Sequence, residues 1–403
     1  MVQPNIFLNQ AEIDVIKSKI AANQEPLKSA YNDLIGKANG FLSQGIRTIN
    51  GDFNTGNSTH YSYAMEACHL VRDCALAYQF SGNTSYADKA VQQINAWCVN
   101  SSTRMIPRYQ WVSGDNSTIN ITITIPALLY GASLLTNYSG WNASDKATFM
   151  TWCTDFLNNV TAWNFNCCAG CQYETQNYDS WRTMFQVALG AITDNQSNIN
   201  TVLNTWKTLI VPCQQDTNGS FPRERNRTLN GKDLAIFYSL WNLKAWIQTA
   251  EIVRHRGIDL YSFKTSEGKG IELALDFHAK YAISANGWPY SHAGNPCDDA
   301  SGYMKGGNGD CYELAYSWNH KSAYMNAINA CGGRPRYDTR ILGPVTLTHA
   351  GIDGSDGGGG GGGSGGVSWF DRTTCLTSTK CISNKIIVVG TGFLLLYVIL
   401  KKK

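Results

Sequence analysis

The chain has 403 residues, 43% of them hydrophobic and 16% charged, so it can bury a large core and is not disordered. The formal net charge of +3 is too small to indicate a nucleic-acid partner, and the sequence has no helix-turn-helix, zinc-finger or aromatic-plus-basic RNA motif. Any anionic partner would therefore have to be recognised by a local site.

From about residue 9 to residue 329, apolar residues recur at helical spacing, in paired segments joined by short polar turns. The clearest pair is residues 67–78 and 87–97. A long run of such hairpins must close or stack to bury every apolar stripe. Because no exact repeat is visible and the loops differ in length, we predict an all-α fold, an (α/α)n toroid of roughly ten or eleven helices with its cleft at one rim.

The composition changes after residue 332. Residues 334–349 predict an extended closing segment with a strand, and the glycine run at 357–363 predicts a flexible tether. Residues 386–400 are apolar or small and precede three lysines, which favours a short transmembrane helix whose lysines reach the interfaces. The predicted organisation is a toroid at 1–352, a linker and stalk at 353–384, and a C-terminal membrane anchor at 385–403.

Thirteen cysteines and eleven Asn-x-Ser/Thr sequons favour an oxidising compartment with disulfide bonds and a glycosylated surface. The terminal lysines are expected to face the cytoplasm or a virion interior, which places the domain on the extracellular, lumenal or virion-surface side of the membrane. The first residues, MVQP, show no secretion signal, so a trimmed signal and another loading route both stay open. The sequons begin at Asn57, Asn83, Asn100, Asn116, Asn120, Asn137, Asn142, Asn159, Asn195, Asn218 and Asn226.

The cysteine cluster at Cys167, Cys168 and Cys171 does not make a convincing metal site. Adjacent cysteines seldom bind one ion together, and no second Cys or His pair lies nearby in the sequence. We predict neither a metal nor another cofactor.

Three short motifs in the middle of the chain are rich in polar side chains that could take part in catalysis. They are NYDSW at residues 177–181, GSFPRERNR at 219–227 and YSLWN at 238–242. Together they supply amide, guanidinium and phenol groups on successive helices and loops. Cutting an acidic polysaccharide by β-elimination needs such groups, because the sugar carboxylate must be neutralised before a base can remove the neighbouring C5 proton.

These motifs, together with RDCALAY at 72–78 and GIDLY at 257–261, resemble the alginate lyase superfamily of polysaccharide lyases. The resemblance implies an α/α toroid that cleaves a uronate-containing polysaccharide, such as alginate, mannuronan or glucuronan, without an obligatory metal. It also implies that Asn177 and Arg227 neutralise the carboxylate and that Tyr238 exchanges the proton. Tyr178 stands where the family has a histidine, which leaves the identity of the base open.

Other residues are expected at the substrate. Glu224 is expected to orient Arg227, and the spacing from Arg227 to Tyr238 exceeds the usual one, with residues 230–233 as the insertion. Lys232 would then sit near the cleft. The remaining candidates for substrate binding are Trp181, Arg225 and His292.

Two alternatives accompany the lyase hypothesis. The first is a catalytically inactive glycan-binding or adhesion module on a membrane or virion surface, which the missing histidine permits. The second is a hydrolase with two catalytic carboxylates, for which the candidates are Asp115, Asp216, Glu224 and Asp233.

Overall fold

The structure is a computed structural model, and it describes residues 6–54, 57–109, 117–162, 176–294, 309–352, 373–377 and 380–383. The chain divides into two compact units, Met1–Ile352 and Asp353–Lys403. Most residues of the described part of the first unit are helical, and its strands are the two-residue pair Thr228–Leu229 and Lys232–Asp233, which confirms the all-α prediction.

Fifteen α-helices are present in these ranges, and two of them, α4 and α9, continue into five-residue π-helical turns at Asn95–Val99 and Trp206–Ile210. The helices are α1 (Gln10–Ala21), α2 (Leu27–Ser43), α3 (Ser58–Ser81), α4 (Thr84–Ile94), α5 (Ser117–Thr122), α6 (Ile125–Leu134), α7 (Ala143–Thr161), α8 (Asn177–Ile192), α9 (Gln196–Thr205), α10 (Val211–Gln214), α11 (Ala235–Arg254), α12 (Ile271–Ile283), α13 (Cys311–Trp318), α14 (Ser322–Ala330) and α15 (Val345–His349).

Asparagine side chains fix where several helices begin. The side-chain oxygen of each N-cap asparagine accepts a hydrogen bond from a backbone N–H of the first turn, which has no partner within the helix. Four of these asparagines also belong to sequons, so the sequons have a structural role independent of any modification. They are Asn57, Asn83, Asn142 and Asn195, which cap α3, α4, α7 and α9.

The helix contacts form a closed ring. Helix α3 packs against α6, α6 against α8, α8 against α11, α11 against α13, and α13 against α15. Helix α15 then contacts α2, which packs against α3. This circuit of contacts agrees with the predicted toroid, because each helix in the ring packs against the next one and the last packs against the first.

Helices α8 and α11 run side by side in the same direction through the core. Their C-terminal ends meet through Arg256, which donates to the carbonyl of Ala191 at 2.8 Å and pairs with Asp194 at 3.1 Å. Their N-terminal ends meet at the motifs singled out in the sequence. Because a helix N-terminus carries partial positive charge, this rim has two dipoles that favour an anionic ligand.

The closing segment differs from its prediction. An isolated antiparallel bridge joins Asp338 to Gly343, and Val345–His349 is helical rather than extended. Asp338 accepts hydrogen bonds from the backbone N–H groups of Ile341 and Leu342, at 3.0 and 2.8 Å, so its side chain shapes the turn. The predicted strand was wrong because this local polar chemistry determines the backbone path.

The closing segment is attached to the core by a buried ion cluster. The ammonium of Lys244 on α11 lies 2.7 Å from a carboxylate oxygen of Asp310 and 2.8 Å from one of Asp338. All three side chains are almost completely buried. Removing either carboxylate would leave a buried charge short of a partner, which is costly in a protein interior.

The cysteines give limited support to the expected disulfide framework. Five of them, Cys68, Cys74, Cys98, Cys153 and Cys311, are free thiols in the core. Of the other cysteines in the described ranges, Cys213 and Cys331 are disulfide-bonded. The cluster at 167–171 lies outside those ranges.

Within the second unit, an antiparallel pair of strands forms in what the sequence suggested was linker and stalk. Strands β3 (Thr373–Thr377) and β4 (Lys380–Ser383) pair with Cys375 opposite Cys381. In the part of the chain that the structure describes, no helix is both long and apolar enough to cross a bilayer. The glycine run and the predicted anchor at 385–403 lie outside that part, so the anchor and its membrane stay predictions.

Candidate active site

The first residues of α8 are held in place by a buried carboxylate from another loop. Asn177, the first residue of the helix, donates from its backbone N–H and from its side-chain Nδ2 to the same oxygen of Glu224, at 3.0 and 2.8 Å. Asn177 and Glu224 are each only 1% exposed. The carboxylate also lies at the positive end of α8, where negative charge is favourable.

The second oxygen of Glu224 accepts a hydrogen bond from Nη1 of Arg227 at 3.1 Å. The side chain of Arg227 is 28% exposed, so it reaches from the buried carboxylate to the surface of the site. An arginine has five N–H donors. The bond to Glu224 therefore leaves donors that could bind a ligand carboxylate.

Arg227 in turn covers the ring of Tyr238. The guanidinium carbon lies 4.0 Å from the ring centroid, which is a cation–π distance. Tyr238 is half-buried in the first turn of α11. A continuous series of contacts thus joins Asn177 on α8 to Tyr238 on α11 through Glu224 and Arg227.

Tyr178 is a second phenol beside this series. It is half-buried, and burial raises the pKa of its hydroxyl. The charge of Arg227 opposes this rise in pKa, whereas Tyr238 and Glu224 add to it. The guanidinium of Arg227 therefore acts on the phenols of both Tyr178 and Tyr238. Tyr178 favours its protonated form at neutral pH.

The backbone around Arg227 and Tyr238 forms a small β-hairpin that corresponds to the predicted insertion. Strands β1 (Thr228–Leu229) and β2 (Lys232–Asp233) pair through a two-residue turn at Asn230 and Gly231, both with positive φ, as an Asn-Gly hairpin requires. The N–H of Leu234 donates to the carbonyl of Arg227 at 3.0 Å and extends the ladder by one pair.

His292 supports the same region from a different loop. Its backbone carbonyl accepts from the N–H of Ala235 at 3.0 Å, and that of Ala293 accepts from Ile236 at the same distance, which caps the start of α11. The imidazole Nδ1 lies 2.8 Å from a carboxylate oxygen of Asp233 on the hairpin. The structure therefore places His292 beside the hairpin, as an exposed support.

Two other predicted substrate residues are occupied elsewhere. Trp181 is fully buried, with its ring centroid 4.5 Å from that of Trp241, so it has no face for a sugar and belongs to the core. The guanidinium of Arg225 pairs with Asp216 and lies 4.5 Å from the ring centroid of Tyr290. The burial of Trp181 corrects the expectation of sugar contact, whereas the Arg225 side chain is 24% exposed and its contact with substrate stays a prediction.

Tyr290 was not singled out from the sequence. Its hydroxyl lies 2.8 Å from Nδ2 of Asn218 and 2.9 Å from the hydroxyl of Ser220. Burial would raise the pKa of this phenol, but these two groups and Arg225 outweigh burial and lower it. No local pattern could reveal the cluster, because Tyr290 is 65 residues from Arg225 in the chain.

The carboxylates proposed for a hydrolase are engaged in other contacts. Glu224 binds Asn177 and Arg227, Asp216 pairs with Arg225, and Asp233 lies against His292. Asp115 lies outside the described ranges. A cavity of about 520 Å³ lies between α2 and residues 335–344, and none of the predicted site residues lines it.

A helical ring with amide, guanidinium and phenol groups at the shared N-terminal rim of two core helices is the arrangement expected of a polysaccharide lyase of the toroid class. Comparison with known proteins agrees. The alginate lyase family model matches residues 18–288, more than half of the chain, so the chain belongs to the alginate lyase family. The expected family and the expected enzyme class, a polysaccharide lyase, are thereby confirmed.

Solved structures show the same fold at low sequence identity. An alginate lyase from Bacteroides ovatus is 18% identical, with a TM-score of 0.69 over 86% of this chain and 99% of that chain. Alginate lyase A1-III from Sphingomonas species A1 is 15% identical, with a TM-score of 0.64 over 84% and 94%. A histidine-to-alanine variant of A1-III complexed with a tetrasaccharide is 15% identical, with a TM-score of 0.65 over 85% and 96%. No curated protein matches the sequence.

Proposed function

We propose that this lyase cleaves a uronate-containing polysaccharide by β-elimination at the rim formed by α8 and α11. The observation that carries the proposal is the series Asn177, Glu224, Arg227 and Tyr238, with Tyr178 beside it. It joins a buried amide and carboxylate to a partly exposed guanidinium and a half-buried phenol. The tetrasaccharide complex of alginate lyase A1-III supports a saccharide substrate, and the match to the alginate lyase family supports an acidic one.

Arg227 would bind the substrate carboxylate, and buried Asn177 would support it by fixing Glu224. The donors of Arg227 that are free of Glu224 supply hydrogen bonds that strengthen as the carboxylate takes on enolate character. Preorganised donors of this kind contribute several kcal/mol to a transition state, about 3 kcal/mol for a single donor. Glu224 holds both groups in position and does not itself touch the sugar.

Tyr238 would remove the C5 proton as a phenolate, with the guanidinium carbon of Arg227 4.0 Å from its ring centroid. The C4–O4 bond then breaks, a C4–C5 double bond forms, and the leaving oxygen takes a proton from the Tyr238 hydroxyl, which restores the phenolate. Tyr178, whose pKa is raised, would remain protonated and donate a hydrogen bond to the substrate where the family has a histidine.

The test is the absorbance of unsaturated uronate during incubation of the full chain with alginate, polymannuronate and glucuronan. We expect absorbance to rise with at least one polymer. Tyr238→Phe should lower kcat by about a hundredfold to ten-thousandfold, because it removes the group that exchanges the proton. Tyr31→Phe, a phenol on α2, is the matched control and should leave kcat unchanged.

The rival hypothesis is the catalytically inactive glycan-binding module. It is favoured by one observation, the tyrosine at position 178, and predicts retention of the protein by an acidic polymer in affinity electrophoresis without any absorbance change. A flat absorbance trace with all three polymers, combined with retention that Tyr238→Phe leaves intact, would replace the lyase proposal with this one.

A further inference from the structure

The β1–β2 hairpin lies between the two residues most closely tied to the chemistry, Arg227 and Tyr238. Its register is Thr228 opposite Asp233 and Leu229 opposite Lys232. The hydrogen bond from Leu234 to Arg227 adds Arg227 opposite Leu234 to the same ladder. The hairpin is therefore a direct extension of the backbone that positions Arg227.

Alternation along the strands assigns the side chains to two faces. Side chains point to opposite faces at successive positions, and residues opposite each other share a face. Arg227, Leu229 and Lys232 therefore share one face, and Thr228 and Asp233 share the other. Because the guanidinium of Arg227 lies over Tyr238, the face that carries Lys232 is the face of the active site.

Lys232 is suited to contact a ligand from this position. It is exposed, and its side-chain ammonium forms no ion pair or hydrogen bond within the described ranges. Its neighbour Asp233 points the other way, to His292 at 2.8 Å, and does not neutralise it. Leu229 opposite is 42% exposed and offers an apolar surface for sugar C–H groups.

The spacing suits a polymer. Lys232 lies directly across from Leu229 and is therefore the diagonal neighbour of Arg227 on this face, about 7–8 Å away. This distance is comparable with the separation of neighbouring sugar rings in a polysaccharide. We propose that Lys232 is a specificity-determining residue that binds the carboxylate of a uronate next to the one held by Arg227. This inference rests on the proposed function.

The experiment compares Lys232→Met with wild type on the best-cleaved polymer. We expect KM to rise about fivefold, the effect of one partly exposed ion pair, with kcat changed less than about twofold. Raising the salt concentration should raise the KM of wild type more than that of the variant. Lys232→Arg should retain most of the wild-type KM, and Lys17→Met on α1 is the control for loss of charge alone.

Two results would overturn the inference. One is an active Lys232→Met enzyme whose KM and salt dependence equal those of wild type. The other is an equal rise in KM for Lys17→Met, which would show only a general effect of charge. If wild type forms no unsaturated product, the proposed function is wrong, but the role of Lys232 in binding can still be tested by affinity electrophoresis in polymannuronate. Equal retardation of wild type and Lys232→Met would then refute it.

Discussion

Glu224 is almost completely buried, yet it accepts hydrogen bonds from two other residues of the site. One oxygen accepts from the backbone and the side chain of Asn177, and the other accepts from Arg227. A carboxylate is acceptor-only, so it can satisfy donors on both sides at once. An amide cannot, because one of its two ends is a donor.

We therefore expect Glu224→Gln to disturb the site although it is nearly isosteric. The new NH₂ group must face either the donors of Asn177 or those of Arg227, which displaces one of them. Misplacement of a binding group by about 1 Å can cost about a hundredfold in rate, and a broken buried hydrogen bond costs about 1–3 kcal/mol of stability. Steady-state kinetics and urea unfolding measure the two effects.

The matched control is Glu66→Gln. Glu66 pairs with Arg47 at 2.5 Å, but its side chain is 40% exposed and far from the motifs in sequence. Because an exposed ion pair contributes little, this change should alter stability by less than about 1 kcal/mol and leave activity intact. Similar rates for Glu224→Gln and wild type would show that Arg227 is held by other contacts.

The sequence was informative about the main site residues and less so about their surroundings. Asn177, Arg227 and Tyr238 fall in recognisable motifs, and the structure brings them together with Glu224. The burial of Trp181 could not be seen, because an aromatic residue at helical spacing suits a core or a cleft equally. The partners of Arg225 are set by tertiary contacts between loops.

At the scale of elements, one close approach of backbones stands out. Helices α3 and α6 cross at Gly131, where an added Cβ would lie 2.6 Å from the carbonyl oxygen of Val71 and 2.9 Å from Cα of Arg72. Real Cβ atoms do not approach backbone so closely. Only glycine allows these two core helices their observed separation.

We expect Gly131→Ala to destabilise the protein by about 1–3 kcal/mol, because the helices must move apart and disturb the packed core. Gly36→Ala is the contrasting change, since a Cβ at this position on α2 meets nothing within 4 Å. Alanine is the better helix former, so that variant should gain up to about 1 kcal/mol. Urea unfolding measures both, and equal stabilities would contradict the close packing.

The elements themselves were partly predictable. Long amphipathic helices such as α3 and α11 follow from periodicity, and the insertion before Tyr238 has the Asn-Gly signature of a tight hairpin. The short helices α5 and α10 fall in the stretch predicted as helical but were not separated from their neighbours, and α15 was predicted as extended, since four to six residues are too few to show a helical period. Their conformation depends on contacts with distant parts of the chain.

At the scale of the whole molecule, buried histidines make stability depend on pH. Burial lowers the pKa of His278 to about 4 and that of His69 to about 3, from an ordinary value of 6.5. Between pH 6.5 and pH 4 the unfolded chain binds protons at these positions, whereas the folded chain does not. Stability is therefore fully present above about pH 6.5 and is lost as the pH falls toward 4.

We expect the free energy of unfolding to decline between pH 7 and pH 4, with His278 responsible for up to about 3 kcal/mol of the loss. His278→Phe tests this, because the ring already stacks on Phe221 at 5.2 Å and phenylalanine does not titrate. The variant should lose less stability than wild type over this range in urea unfolding. Parallel pH profiles would show that His278 does not contribute.

The closed ring also has a consequence for synthesis of the chain. Lys244 acquires its buried carboxylate partners from Asp310 and Asp338, up to 94 residues further along. While a ribosome is still making that later segment, α11 already exists but its ammonium cannot be buried without a counter-ion. The motifs proposed to act on the substrate are thus complete in sequence well before the core can close around them. A nascent chain stalled before residue 310 should therefore be open to protease at α11, and release of the full chain should end that sensitivity.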